Sequence, residues 1–302
     1  MNFKVFKENP LTMKLALGTV QFGIDYGVNS ANGKVKAEEV KKILNYAHTK
    51  NIDFLDTALT YGNSEKVLGR VNVSNFKVIT KTRYFDNLKI KNNDVNLLNN
   101  DFHYSLANLK QDSVYGVLIH NADDLFKPGA EKLFDQLQKL KQLGKIIKIG
   151  VSVYNHIQLQ FILDNFDIDL VQLPFNMLDR RMINNGMFTK LQKKDIDVHV
   201  RSIFLQGLLL MSKQNRPEKF NRWSSLWKIW HEWLNDNGIT ALEATIRYAL
   251  SIKEISKVIV GVDTRDQLEQ ILIASDGTLP KIPSELYTND VDLLNPSNWE
   301  KL

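Results

Sequence analysis

Four side chains that can take part in proton transfer stand at or near the ends of short apolar segments. Asp56 closes FLD, Lys81 closes VITK and His120 closes VLIH, while Tyr61 lies five residues beyond Asp56 in the turn TYG. Each residue alone has a structural explanation, because Asp caps helices or forms salt bridges, a buried His is satisfied by hydrogen bonds, and TYG forms a turn. An acid, an amine, an imidazole and a phenol on successive segments together indicate acid–base catalysis at one place.

The segments that carry these residues belong to a pattern of eight apolar runs, each followed by helical periodicity. The runs are LALGTV (15–20), FLDTA (54–58), KVITK (77–81), GVLIH (116–120), KIGVS (148–152), LVQLP (170–174), VHVRSI (198–203) and VIVGV (258–262). Runs that are apolar throughout are typical of parallel strands buried on both faces. Eight such strands alternating with helices predict an α/β fold, the closed (β/α)8 TIM barrel, in which the C-terminal strand ends surround the active site.

The stretches between the runs indicate helices, loops and one insertion. Residues 36–50 and 131–145 each place apolar side chains on one helix face, and Gly144 is expected to end the second helix. The Asn-rich stretch 91–101 is interpreted as a loop that leads into a helix. We expect residues 1–302 to form one domain, with a long helical insertion at about 210–239 after the seventh strand.

The insertion carries four tryptophans on one predicted helix face. Trp223, Trp227, Trp230 and Trp233 are spaced by four, three and three residues. They either pack against the barrel or, since the insertion follows a strand end on the active-site side, cover the pocket as aromatic platforms for a sugar ring. His231, within the same helix, is expected to face solvent.

The composition excludes several other classes of protein. The chain is 43% hydrophobic with a net charge of +5, and its Lys and Arg are scattered among Asp and Glu without a long block of one sign, so we expect no nucleic-acid groove. It has no cysteine, which excludes disulfides, thiolate metal sites and a cysteine nucleophile, and we expect no metal. No apolar stretch has the length of a signal peptide or a membrane span, so a cytoplasmic protein is expected, without membrane partners.

Along nearly its whole length the sequence resembles the aldo-keto reductases. The resemblance is carried by LALGTVQFG, DTALTYGNSEKVLG, VITK, VLIH, GVS, LVQLPFN, FLQGLLL and VIVGVDTRDQLEQ. It implies an enzyme on a (β/α)8 barrel that reduces an aldehyde or ketone to an alcohol by hydride transfer from NAD(P)H. The substrate would be a small carbonyl compound, and the forms of the first and seventh strands hint at a sugar or nucleotide-sugar.

The family's catalytic tetrad matches Asp56, Tyr61, Lys81 and His120. A reduced carbonyl needs a proton, and a phenol with an unperturbed pKa of about 10 is a weak acid at neutral pH. Lys81 is expected to lower the pKa of Tyr61, the proton donor, while Asp56 pairs with the lysine. His120 is expected to bind and orient the substrate oxygen.

The resemblance also implies a set of dinucleotide contacts. The matching positions are Gly18, Thr19, Asp56, Ser152, Gln172, Arg201, Ser202, Leu205, Gly207, Gly261, Asp263, Thr264, Arg265, Gln267 and Gln270. Four positions depart from the family pattern: Val153 replaces a common Asn, Arg201 replaces an aromatic residue, Gln267 replaces an Arg that binds the adenosine phosphate, and Ile271 replaces a frequent Asn. Arg201 could stack, face a pyrophosphate or an anionic substrate, or form a salt bridge. The resemblance to the family favours NADP(H) over NAD(H) as the cofactor.

Two other functions stay open at this stage. A cofactor-sensing regulator with little turnover would keep the dinucleotide site, and the departures at Val153 and Arg201 allow it. A barrel aldolase would use Lys81 as a Schiff-base nucleophile, although the neighbouring Asp56 favours a charged lysine. The chain is expected to be a monomer or a weak homo-oligomer.

Overall fold

The fold is a closed barrel of parallel strands surrounded by helices, seen in a computed structural model that describes residues 10–27 and 33–302. Within these residues the strands are β1 (Leu15–Gly18), β2 (Phe54–Asp56), β3 (Lys77–Lys81), β4 (Val114–Ile119), β5 (Ile146–Ser152), β6 (Leu170–Pro174), β7 (Asp197–Arg201) and β8 (Lys257–Gly261). Each strand pairs in parallel with the next along the chain, and β8 pairs with β1 to close the barrel. The predicted (β/α)8 TIM barrel is thereby confirmed.

Helices and 3-10 turns connect the strands. The α-helices of the described residues are α1 (Val20–Gly23), α2 (Ala37–Thr49), α3 (Ser64–Val71), α4 (Asn92–Leu109), α5 (Glu131–Gln142), α6 (His156–Asn165), α7 (Arg181–Asn184), α8 (Met187–Lys193), α9 (Ser224–Asp236), α10 (Ala241–Ser251), α11 (Arg265–Ala274) and α12 (Val291–Leu294). The 3-10 helices are Pro10–Lys14, Ala122–Phe126, Leu208–Leu210, Lys213–Asn215, Glu218–Trp223 and Pro296–Lys301. No helix among residues 10–27 and 33–302 is long and apolar enough to cross a membrane.

The register of the strands brings the polar strand ends to one rim. Gly18 of β1 pairs with Asp56 of β2, and Ser152 of β5 pairs with Gln172 of β6. The residues before these ends, such as Leu17 and Leu55, are fully buried in the core. Because all strands run parallel, their polar C-terminal ends face the same side of the barrel.

The Asn-rich stretch 91–101 does not form the predicted loop, because α4 begins at Asn92. Its start is fixed by Asp94, whose Oδ2 accepts a hydrogen bond from the backbone N–H of Lys91 at 2.8 Å. Leu98 and Phe102, four residues apart, are buried on the inner face of the helix. Capping and one apolar face therefore outweigh the low helix propensity of asparagine.

The four tryptophans of the insertion are buried away from the cavity at the strand ends. Each indole N–H donates to a nearby acceptor: Trp223 to Asp290, Trp227 to the carbonyl of Phe220, Trp230 to that of Leu209 and Trp233 to that of Lys281. None of the four lines the large cavity. The four rings are buried in the main apolar core and do not cover the pocket.

His231 of α9 is half-buried rather than facing solvent as predicted. Its Nε2 lies 2.9 Å from Nη2 of Arg216, whose guanidinium also stacks over Trp227 with Cζ 4.1 Å from the ring centroid. Burial first, and then the charge of Arg216, lower the pKa of His231. The loop before α9 folds back onto the helix, which its periodicity could not indicate.

Candidate active site

A buried ion pair occupies the rim where β2 and β3 end. Lys81 Nζ donates to Asp56 Oδ2 at 2.7 Å and to the carbonyl of Thr57 at 2.9 Å. The second oxygen of Asp56 accepts from Nε2 of Gln172, on β6, at 2.7 Å. The carboxylate therefore has a partner on each oxygen and holds the lysine in one position.

Lys81 is enclosed by its neighbours. Burial lowers the pKa of its amine, while the charge of Asp56 and the hydrogen bond that Lys81 donates to it act in the opposite direction. The side chain is fully buried and lies outside the set of residues that line the cavity. An aldolase lysine must present its amine to a carbonyl carbon, so this geometry argues against the Schiff-base alternative.

The phenol of Tyr61 lies over the ion pair, on the loop between β2 and α3. Its ring centroid is 4.9 Å from Lys81 Nζ, and its ring meets that of His120 edge to face at 5.8 Å between centroids. Burial, and next the charge of Asp56, raise the pKa of Tyr61 well above 10, while Arg201 opposes the rise. The expected lowering of this pKa is therefore wrong as a net result, because burial and the charge of Asp56 outweigh the effect of the lysine's charge.

The position of Tyr61 depends on the close approach of α1. A Cβ atom on Gly23 would lie 1.7 Å from the carbonyl oxygen of Tyr61 and 2.5 Å from the backbone nitrogen of Ser64. Gly62, in the turn itself, has a φ of +56°, a conformation that glycine adopts without strain. The sequence TYG together with QFG in α1 thus fixes the loop that presents the phenol.

His120, immediately after β4, lies beside the phenol and is held on both ring nitrogens. Nδ1 lies 3.2 Å from the hydroxyl of Thr60 and Nε2 lies 3.4 Å from the hydroxyl of Tyr84. Burial, followed by the charges of Lys81 and Arg201, lowers the pKa of His120 to about 3. The imidazole is therefore neutral at physiological pH and has one N–H, which can donate to a substrate oxygen in place of one of these hydroxyls.

A cavity of about 870 Å³ extends from Tyr61 and His120 across the strand ends. The predicted site residues that line it are Gly18, Thr19, Asp56, Tyr61, His120, Ser152, Gln172, Arg201, Ser202, Gly207, Gly261, Asp263, Gln267 and Gln270. It also contacts Tyr26, Tyr84 and Tyr154, which lie on loops and carry no spacing signal in the sequence. A second cavity of about 460 Å³ adjoins it at His120 and is lined by Tyr84, Asp86, Asn121, Lys127 and Tyr154, among others.

Three predicted dinucleotide contacts do not reach the cavity. Leu205 is fully buried. The hydroxyl of Thr264 accepts from the backbone N–H of Gln267 at 3.1 Å, because Thr264 is the N-cap of α11. Arg265 directs its guanidinium away, to Glu269 at 2.9 Å and Asp266 at 3.0 Å. The polar groups of Thr264 and Arg265 are thus engaged within α11 and its N-cap, and Leu205 is enclosed by the core.

Arg201, which stands where the family resemblance leads us to expect an aromatic residue, lies at the end of β7 and acts electrostatically on Tyr61 and His120. Its Cζ is 4.4 Å from the ring centroid of Tyr154, and its Nη2 donates to the carbonyl of Val153 at 3.4 Å. Neither of these partners carries a negative charge, and Arg201 lines the cavity, so the positive guanidinium is available to an anionic group of a ligand. Val153 is fully buried and contributes this carbonyl rather than a side-chain amide.

The cavity wall contains polar atoms that lack partners. Among residues 10–27 and 33–302, four buried side-chain atoms have no hydrogen-bond partner: Gln21 Oε1, Gln172 Oε1, Asp263 Oδ1 and Arg216 Nε. Three of them, all acceptors, belong to residues that line the cavity. A buried acceptor without a partner costs about 1–3 kcal/mol, so this cavity suits a long ligand that presents donors at several points. No three His, Asp or Glu residues in the described part of the chain are grouped to hold a metal ion.

Comparisons with known proteins agree with this geometry. The model of the Aldo/keto reductase family matches residues 14–282. The chain is 27% identical over 280 residues to L-galactose dehydrogenase of Arabidopsis thaliana, covering 86% of this chain and 85% of that protein.

Two solved structures share the fold. Aldo-keto reductase AKR11C1 from Bacillus halodurans, in its holo form, has a TM-score of 0.68 at 19% identity, covering 90% of this chain and 89% of its own. Glycerol dehydrogenase AKR11B4 from Gluconobacter oxydans has a TM-score of 0.67 at 19% identity, and the match covers 89% of this chain and 88% of that protein.

Proposed function

The chain belongs to the aldo/keto reductase family and is an NAD(P)-dependent oxidoreductase, and from this premise we propose that it reduces the carbonyl of a sugar-like aldehyde or ketone, with Tyr61 as proton donor. The observation that carries the proposal is the convergence of Tyr61 and neutral His120 above the Asp56–Lys81 pair, at one end of the long cavity. These groups can bind a carbonyl oxygen and protonate it.

The residues present fit a nicotinamide dinucleotide. Gln172 donates its Nε2 to Asp56, which leaves Oε1 buried, without a partner and in the cavity wall, where it can accept from a carboxamide N–H. Ser152 and Gly18, at neighbouring strand ends, line the same part of the cavity. When bound, the reduced dinucleotide supplies a hydride.

Each catalytic side chain has one task in the reduction. His120, as a neutral imidazole, donates a hydrogen bond to the carbonyl oxygen and orients it. As hydride reaches the carbonyl carbon, the π-electron pair moves to oxygen, and that oxygen takes the proton of the Tyr61 phenol. The phenolate that remains lies over Lys81, with 4.9 Å between Nζ and the ring centroid, and the ammonium stabilises it until a proton from solvent restores the phenol.

The pH dependence of kcat/KM is expected to differ between carbonyl reduction and alcohol oxidation. Because the pKa of His120 is lowered to about 3 and that of Tyr61 is raised well above 10, both groups keep their reactive forms at neutral pH. We expect kcat/KM for reduction to be flat between about pH 5 and 9 and to fall only as the phenol ionises above that range. Alcohol oxidation requires the phenolate, so its kcat/KM should rise with pH throughout. A basic limb for reduction at about pH 7–8 would contradict the raised pKa of Tyr61.

The second cavity supports a polyhydroxylated substrate. Tyr84 and Tyr154, which are 50% and 37% exposed, line it and offer flat faces, while Asp86 offers a carboxylate that can accept hydrogen bonds. The position beside His120 lets the remainder of a sugar extend away from a carbonyl bound at Tyr61. The relative L-galactose dehydrogenase bears the name of a sugar substrate. These features favour an aldose or a related sugar over a short aldehyde.

A substrate screen tests the proposed function. Purified protein is given NADH or NADPH with a panel of short aldehydes, ketones, aldoses and sugar derivatives, and nicotinamide absorbance is followed. We expect oxidation of at least one reduced dinucleotide, with the highest kcat/KM for a sugar-like carbonyl. Dinucleotide binding without turnover of any carbonyl in the panel would instead support the cofactor-sensing regulator.

A further inference from the structure

We infer that Asp263 makes the far end of the cavity select the dinucleotide without a 2′-phosphate, NAD(H), over NADP(H). The inference rests on the proposed function, since it concerns the same cavity, and it reverses the preference for NADP(H) that the family resemblance implied. Asp263 lies on the turn between β8 and α11 and lines the cavity with Gly261, Gln267 and Gln270.

The carboxylate of Asp263 is placed to accept hydrogen bonds from a ligand. Its Oδ1 is buried and has no hydrogen-bond partner in the part of the chain that the structure describes. The backbone N–H of the same residue is already used, because it donates to Gln267 Oε1 at 2.7 Å. An unpartnered carboxylate oxygen requires a donor, which a ribose hydroxyl supplies and a phosphate group at neutral pH does not. A 2′-phosphate would also repel this charge.

The start of α11 offers little to a phosphate, because internal groups already occupy it. Helix N-termini attract anions, but here the backbone N–H of Arg265 donates to Oε1 of Glu39, on α2, at 2.9 Å. The other oxygen of Glu39 accepts from Lys42 at 3.0 Å. The carboxylate of Glu39 therefore takes the place that an anionic ligand would fill at this helix.

The nearby cations are also committed. The guanidinium of Arg265 pairs with Glu269 and Asp266 and stacks over Tyr46, with Cζ 4.4 Å from the ring centroid. Among the described residues that line the cavity, the cations are Arg201, at the catalytic end, and Lys219. Lys219 donates to the carbonyl of Trp299 at 2.7 Å. It is the residue that could bind a 2′-phosphate if the inference were wrong.

Binding measurements on the full chain test the inference without requiring turnover. The dissociation constants of NADH and NADPH are determined by quenching of tryptophan fluorescence, for the wild type and for Asp263→Asn. We expect the wild type to bind NADH at least about 10-fold more tightly than NADPH, since facing like charges are costly. Asp263→Asn should weaken NADH and strengthen NADPH, so that the ratio falls to within about 3-fold.

A matched control is Asp266→Asn, which removes the same charge three residues away. Asp266 is 78% exposed by its side chain and lies outside the cavity wall. This variant should keep the wild-type ratio within about 2-fold, because exposed charges are screened by solvent. Equal shifts in the two variants would overturn the assignment to Asp263.

Two further outcomes separate the inference from the proposed function. Tighter binding of NADPH than of NADH by the wild type, lost in Lys219→Met, would overturn the inference and leave the proposed reduction intact. Failure of both dinucleotides to bind at millimolar concentration would overturn the proposed function and the inference together. Retention of NADH preference in Lys219→Met supports the role of Asp263.

Discussion

Replacement of Tyr61 by phenylalanine is expected to lower kcat for carbonyl reduction by about 10²- to 10⁴-fold, the contribution typical of a general acid. The ring still packs against His120 and over Lys81, so the dissociation constant of the dinucleotide should change by less than about 2-fold. The measurements are steady-state kinetics with the best substrate of the panel and fluorescence titration of the dinucleotide.

Tyr26→Phe is the matched control for the loss of a hydroxyl from the same cavity. The hydroxyl of Tyr26 accepts from Gln206 at 3.1 Å and has no place in the proton transfer. Loss of one neutral hydrogen bond is worth about 1 kcal/mol, so kcat should fall by less than about 5-fold. Similar losses in Tyr61→Phe and Tyr26→Phe would show that the phenol of Tyr61 is not the proton donor.

Replacement of Lys81 by methionine is expected to damage stability and turnover together. The change leaves Asp56 buried with one oxygen unpaired, and breaking a buried ion pair costs about 3–5 kcal/mol of unfolding free energy. It also removes the cation that stabilises the phenolate of Tyr61, so kcat should fall about as far as in Tyr61→Phe. Urea unfolding gives the first quantity, and kinetics at a temperature where the variant stays folded give the second.

Two double variants separate these effects. Asp56→Asn/Lys81→Met removes both charges and should be more stable than Lys81→Met, while turnover stays low. Tyr61→Phe/Lys81→Met should lose little more activity than either single variant, since the two residues act as a unit. Full multiplication of the two losses would show that Lys81 does not act through Tyr61, and wild-type stability of Lys81→Met would contradict the buried pair.

The barrel and the ends of its strands could be predicted from the sequence because both follow from local patterns. An apolar run of five or six residues marks a strand buried on both faces, and a polar residue that closes it must lie at the rim. Asp56, Lys81 and His120 were located in this way. The contact of Asp56 with Gln172, 116 residues away, required the closed barrel, although the family resemblance marked both positions.

Other features depended on contacts that no local pattern records. The pKa of Tyr61 was predicted to fall because Lys81 is near, but its direction is decided by burial and by Asp56. Arg265 looked available for a phosphate, whereas its partners Glu269 and Asp266 lie on the same helix and hold it. The lack of a hydrogen-bond partner for Oδ1 of Asp263 can be seen only when all the neighbouring residues are placed in three dimensions.

The tryptophans of the insertion illustrate the same limit. Their spacing indicated one helix face, and Trp227, Trp230 and Trp233 do share the buried face of α9. Spacing alone left open whether that face meets the barrel or the cavity. The indole N–H groups settle it, since each finds an acceptor within the protein and none reaches the cavity wall.

Isotope transfer tests the central claim, carbonyl reduction at Tyr61, most directly. A reduced dinucleotide in which both hydrogens at C4 of the nicotinamide are replaced by deuterium is incubated with the protein and a sugar-like carbonyl compound in ordinary water, and the product is examined by mass spectrometry. We expect an alcohol with one deuterium on the former carbonyl carbon, formed at least about 100-fold more slowly by Tyr61→Phe. A bound dinucleotide that never transfers its deuterium, or transfer at an unchanged rate in Tyr61→Phe, would contradict the assignment.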